Sequence, residues 1–170
     1  MKNHIVLFEP LMPANTGNIA RTCAGTDTVL DLIEPLGFSI DDKHLKRAGL
    51  DYWDKVEVHV HETLPAFLKT VPDMTRLYLV SKFAMQDYTD VNYTEAGADS
   101  YFLFGKETTG LPEGFERQHS EQAIRIPQDD DHIRALNLSN SCAIVIYEVL
   151  RQQGFPNLAR THKYPMDKLK

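Results

Sequence analysis

The chain has 170 residues, 42% of them hydrophobic and 25% charged, with a formal net charge of −6. Length and balance describe one soluble globular domain with an ordinary core, and the negative charge argues against a blanket nucleic-acid binder. No run of 18 apolar residues exists to span a membrane, and the short apolar run in MKNHIVLFEP is too small for a signal peptide, so a cytoplasmic location is expected.

Charge is unevenly spread. Residues 87–121 carry eight acids (Asp87, Asp90, Glu95, Asp99, Glu107, Glu113, Glu116, Glu121) against Lys106 and Arg117, which accounts for the whole negative excess. The last twenty residues are basic, with Arg151, Arg160, Lys163, Lys168 and Lys170 against Asp167. A charge run usually solvates a face, but a polyanion would find a basic tail here. Cys23 and Cys142 lack a CxxC partner and ligand-spaced histidines, so they read as small buried hydrophobes.

Along the chain, short β-rich runs alternate with helical patterns. The expected strands are His4–Phe8, Val29–Ile33, Val56–Val60, Arg76–Ser81, Tyr101–Phe104 and Ala123–Ile126. The expected helices cover about 15–25, 41–52, 63–70, 113–120 and 139–153. Strands such as IVLF and YFLF are continuously apolar, as parallel strands covered on both faces must be. The alternation predicts one α/β domain with a mostly parallel sheet.

Ligands in such folds gather beyond the carboxyl ends of the strands. Three polar loops lie there: EPLMPANTGN, FGKETTGLP and IPQDDDHIRALNLSN. No G-x-G-x-x-G, P-loop, HExxH, GxSxG or zinc spacing occurs, which removes dinucleotide, nucleotide and common hydrolase readings. In the first loop, Asn15 or Thr16 suits a helix cap. Asn18 and Arg21 share an outward helical face, which fits either a solvated face or a helix start offering amides and a guanidinium to phosphate or ribose. In the second, two glycines bracket Glu107, Thr108 and Thr109, so the backbone can approach a ligand closely. In the third, Asn137 or Ser139 can cap a long apolar helix on which Asn140 and Tyr147 share one stripe; a buried core position is the alternative for Tyr147.

Taken together, N-x-G-N-x-x-R after the first strand, FGxE-x-x-GLP after a late strand and LNLSN opening the last helix form a specific set. With LIEPLGFS (32–39) and KRAGLDYW (46–53), they extend over nearly the whole chain. On these motifs the sequence resembles the SPOUT class of RNA 2′-O-ribose methyltransferases, and within it the small TrmL-like (YibK-like) tRNA enzymes.

The resemblance implies a single α/β domain over residues 1–156 with a C-terminal deep trefoil knot, followed by a basic tail, 157–170. The knot comes from resemblance alone, since threaded connections are nearly absent among folds. It implies S-adenosylmethionine as cofactor, without a metal, held by Val80, Ser81, Gly105, Glu107, Ile126, Ala135 and Leu136. Arg21 matches the family arginine credited with activating the ribose hydroxyl; because a guanidinium stays protonated, orienting that hydroxyl and clamping the adjacent phosphate is the expected role. Asn15, Ser139 and Asn140 would position ribose and loops, and Tyr147 matches a tyrosine important for activity. The implied substrate is the wobble nucleotide, cytidine or modified uridine, in the anticodon stem-loop of tRNA, and the implied assembly is a homodimer in which Arg21 of one subunit works beside the cofactor of the other. The nearly apolar stretch AIVIYEVL (143–150) offers a face for such a dimer. The alternatives are the same reaction at another tRNA or ribosomal RNA position, or an RNA-binding knot protein without activity. Two departures stand out: Ala135 where relatives often have Ser, and Asp27 where they often have Gly.

Overall fold

All seven strands of the sheet run parallel, in the order β3-β2-β1-β6-β4-β7-β5. The computed structural model describes residues 1–40, 53–95 and 97–166. The strands are β1 (Asn3–Phe8), β2 (Val29–Ile33), β3 (Val58–His61), β4 (Leu77–Val80), β5 (Gln86–Asp87), β6 (Ser100–Phe104) and β7 (Ala123–Arg125). The helices are α1 (Pro13–Thr26), α2 (Leu64–Leu68), α3 (Glu113–Gln118) and α4 (Leu138–Gln152). The helix expected at 41–52 lies outside the described residues.

Alternation along the apolar strands explains their composition. Ile5, Leu7, Leu30, Leu32 and Phe102 face α1 and α4, where they meet Ile19, Cys23, Val145, Ile146 and Val149. Val6, Ile33, Leu79 and Leu103 face the opposite way, toward Phe67 of α2 and Leu111. Two cores on one sheet leave no room for the polar alternation of a one-sided sheet. Cys23 and Cys142 are free and buried, and burial pushes both thiols up from their ordinary range.

Three expectations shift. β3 begins two residues later than the apolar run suggested, and β5 was not foreseen; two polar residues paired only with β7 carry no pattern. α1 begins at Pro13, because proline lacks the N–H that a first helical turn leaves unused. Neither Asn15 nor Thr16 caps it: the preceding position is Met12, whose side chain makes no capping bond to the helix backbone. Asp27 ends α1 in the left-handed region, φ 51°, which Asp tolerates better than most residues, so this turn forms without a glycine.

α1 and α4 lie side by side and point the same way. Asn15 near the start of α1 bonds Asn137 at the start of α4, and Gly25 and Asp27 at its end line one hollow with Tyr147 and Phe155. Val145, Ile146, Val149 and Leu150 are buried within this chain, so the 143–150 stretch is not an open apolar face; it leaves chiefly Ile144 and Tyr147 exposed. Beyond α4, Phe155 and Leu158 still pack on the core. No described helix is long and apolar enough to cross a membrane.

Candidate active site

A cavity of about 570 Å³ opens beyond the carboxyl ends of β4, β6 and β7. Its size suits a small organic ligand. All seven positions expected to hold a cofactor line it: Val80 and Ser81 after β4, Gly105 and Glu107 after β6, Ile126 after β7, and Ala135 and Leu136 before α4. Val80, Ile126 and Leu136 supply apolar wall, Ser81, Gly105 and Ala135 are small, and Glu107 brings a carboxylate.

The β6 loop owes its shape to its glycines. Gly110 has φ +73°, and its N–H donates to the Lys106 carbonyl at 2.9 Å, so FGKETTGLP folds back on itself. A Cβ on Gly105 would stand 2.3 Å from the carbonyl carbon of Gly110. Only a glycine permits that approach.

Glu107 reaches across to the start of α1. Its carboxylate accepts from the Leu11 N–H (2.9 Å), the Met12 N–H (3.1 Å) and the Asn15 side-chain amide (3.2 Å). This replaces the missing side-chain cap, and places negative charge at a helix N-terminus where the macrodipole favours it. Burial alone would raise the Glu107 carboxyl, but the hydrogen bonds from Leu11, Asn15 and Met12 outweigh it and hold the group below its ordinary value.

The tie continues. Asn15 Oδ1 accepts from Asn137 Nδ2 at 3.1 Å, and Asn137 Oδ1 accepts from the Ser139 N–H (2.9 Å), the Ser139 hydroxyl (2.7 Å) and the Asn140 N–H (3.3 Å). Asn137 is therefore the cap of α4, as its position before the apolar run suggested. A line Glu107–Asn15–Asn137–Ser139 joins all three polar loops. Lys82 adds a cross-link, donating from Nζ to the Arg134 carbonyl at 3.3 Å. Thr16, the other cap candidate, is buried with its hydroxyl unpartnered among the described residues.

Arg21, Asn140 and Tyr147 are placed differently. None lines the cavity. Asn18 and Arg21 are exposed on the outward face of α1, and Asn140, Ile144 and Tyr147 on that of α4. Tyr147 is 50% exposed and belongs to the hollow beside the end of α1, so the buried-core alternative does not hold. Sequence reasoning missed Asn137 as the residue joining two loops, and Met12, Phe83, Thr108, Thr109 and Arg134 as cavity lining. The capping signal found Asn137, but nothing local says what its amide meets. Phe83, 74% exposed at the cavity rim, carries no motif.

Residues 2–147 match the model of the SpoU rRNA Methylase family. The chain belongs to that family. A relative from Lactobacillus gasseri, under the provisional name RNA (cytidine(34)-2′-O)-methyltransferase, is 62% identical over 170 residues, covering 100% of this chain and 91% of that protein. The tRNA (cytidine(34)-2′-O)-methyltransferase of Yersinia pestis is 45% identical over 158 residues, covering 90% of this chain and 95% of its own. A solved structure described as giving insight into 2′-OH methylation of C/U34 on tRNA is 36% identical, covers 90% of this chain and 97% of its own, and superposes with a TM-score of 0.80. The single parallel-sheet α/β architecture of this SpoU chain is thus the one expected from its motifs.

Proposed function

We propose that this chain transfers a methyl group from S-adenosylmethionine to the ribose 2′-hydroxyl of the tRNA wobble nucleotide, a cytidine or modified uridine at position 34. The observation that carries the proposal is full-length similarity to proteins named for that reaction, together with a cavity lined by every residue the motifs assign to the cofactor. The donor set fits: apolar walls at Val80, Ile126 and Leu136 suit an adenine, and backbone groups around Gly105 and Ala135 suit its polar edges.

When bound, the cofactor supplies an electrophilic methyl group on its sulfonium. The protein supplies alignment. Arg21 orients the ribose hydroxyl and clamps the neighbouring phosphate through its planar fork. Asn15, Ser139 and Asn140 keep the loops and ribose in register, the first two by the hydrogen-bonded line described above. Tyr147 adds a contact on the same outward ridge. Because Arg21 does not line the cavity of its own chain, a homodimer in which it serves the partner's cavity accounts for both placements. The methyltransferase domain then comprises residues 1–156, with the knot of the family in its C-terminal portion, and the basic tail 157–170 contacts RNA in the cytoplasm. Phosphate contacts of that kind weaken steeply with salt.

Mapping 2′-O-methyl nucleotides in tRNA from cells with and without the gene tests the proposal, alongside restoration by purified protein and labelled cofactor. The expected result is one gene-dependent methyl group at position 34. Methylation elsewhere in tRNA, or only in ribosomal RNA, would defeat the wobble assignment.

A further inference from the structure

On the sheet face opposite α1 and α4, at the edge formed by β1, β2 and β3, a second polar cluster surrounds Asp31. This carboxylate sits in the middle of an apolar strand and is 2% exposed. Three imidazoles face it. His4 Nδ1 is 2.7 Å from Oδ2, His61 Nε2 is 2.7 Å from Oδ1, and His59 Nδ1 is 3.3 Å from Oδ1. Lys2, Glu57, Asp99 and Tyr101 complete a hollow over the cluster.

The far ring nitrogens decide what the cluster suits. His59 Nε2 stands 3.3 Å from Glu57 Oε1, and His4 Nε2 stands 3.7 Å from Asp99 Oδ2. Each of these rings therefore lies between two carboxylates. A metal-bound imidazole is commonly steadied by a carboxylate on its second nitrogen. Glu57 and Asp99 stand where such partners belong. Ligand atoms of His4, Asp31 and His59 all fall within 4.8 Å of one another. The 3.3 Å between His59 and Asp31 matches the ligand spacing, about 3.3 Å, of tetrahedral zinc with bonds near 2.0–2.1 Å, while the 2.7 Å hydrogen bond between His4 and Asp31 has to lengthen toward that spacing to admit an ion. His59, 44% exposed, leaves an entry path and an open fourth position.

We propose that His4, Asp31 and His59 form a site for a divalent transition metal of the zinc class. His61 remains bonded to Asp31 and orients it. Imidazole and carboxylate together favour such an ion over magnesium or calcium, which prefer oxygen alone. The ion draws edge strand β3 onto β2 and β1, remote from the carboxyl-end cavity, so its role is to fasten the sheet rather than to take part in methyl transfer.

The test uses untagged full-length protein, stripped with chelator, incubated with Zn²⁺ and desalted. Elemental analysis should find about one zinc per chain, and Co²⁺ should give the visible absorption of a tetrahedral complex. His59→Ala, at an exposed position, should fold, lose both signals and lose the zinc-induced rise in Tm. Glu57→Gln should weaken affinity at least about 10-fold, and His132→Ala, in a surface pair with Asp129, should change nothing. Zinc-free wild-type protein after incubation, or equal uptake by wild type and His59→Ala, would overturn the site.

Discussion

The cavity beyond the strand ends and the outward ridge of α1 and α4 are built by opposite means. The cavity is framed by three loops tied by hydrogen bonds that join residues 11, 12, 15, 107 and 137. The ridge presents Asn18, Arg21, Asn140 and Tyr147 on exposed helix faces. A pocket that depends on backbone position fails when the loops move. A ridge that depends on side chains fails one residue at a time, without cost to the fold.

Gly105→Ala should break this contrast most severely. Its new Cβ meets backbone that cannot yield, so a loss of about 3 kcal/mol or more in stability is expected, with loss of cofactor binding. Denaturant unfolding and calorimetry with S-adenosylmethionine check both. Arg21→Ala should do the reverse: methyl transfer falls at least about 100-fold, while cofactor affinity stays within a few-fold and stability is unchanged. Near-normal turnover on tRNA would remove Arg21 from the proposed reaction. Mixing Arg21→Ala with a chain blocked in its cavity by Leu136→Asp should restore activity if the site is shared between subunits, and leave none if each chain works alone.

Glu107→Gln should act more gently, on both stability and pH response. An amide nitrogen in place of one carboxylate oxygen faces an N–H of Leu11 or Met12, at a cost of about 1.5 kcal/mol given partial exposure. The native carboxyl titrates below its unfolded value of about 4.3. Its stabilisation is therefore complete above that pH and disappears as pH falls through the lowered value. Subtracting the unfolding curve of Glu107→Gln from that of the native chain should isolate this acid-side loss. The smallest effect is expected from Asn137→Ala, about 1 kcal/mol for a lost helix cap, with cofactor affinity reduced because the Asn15 side-chain oxygen loses its donor.

The same contrast explains what could be read from the chain. Strands β1, β2, β4 and β6 announce themselves because both faces are apolar. β5 does not, having only Gln86 and Asp87. The face of β3 toward Asp31 carries His59 and His61, which read as polar until Asp31 is found opposite. A lone aspartate in VLDLI was the available signal, since a buried charge requires partners. In the cavity, resemblance gathered residues that periodicity never would, since their common property is position after strand ends. It also assigned Glu107 to the cofactor; Glu107 lines the cavity, and its carboxylate bonds go to Leu11, Met12 and Asn15. A G-x-E sequence cannot disclose which amides lie across the gap.

The hydrogen-bonded line through Glu107 and Asn137 also sets an order of events. The loop after β1 leaves the ribosome first, yet its fastenings lie about ninety and more than one hundred and twenty residues later. Contacts so distant in sequence are slow to close, because chain entropy must be lost before they can form. A nascent chain that has not yet released residue 137 holds α1 beside a loop without its anchor. The cavity is thus among the last parts to be completed, and a ligand held there certifies that synthesis has passed that point.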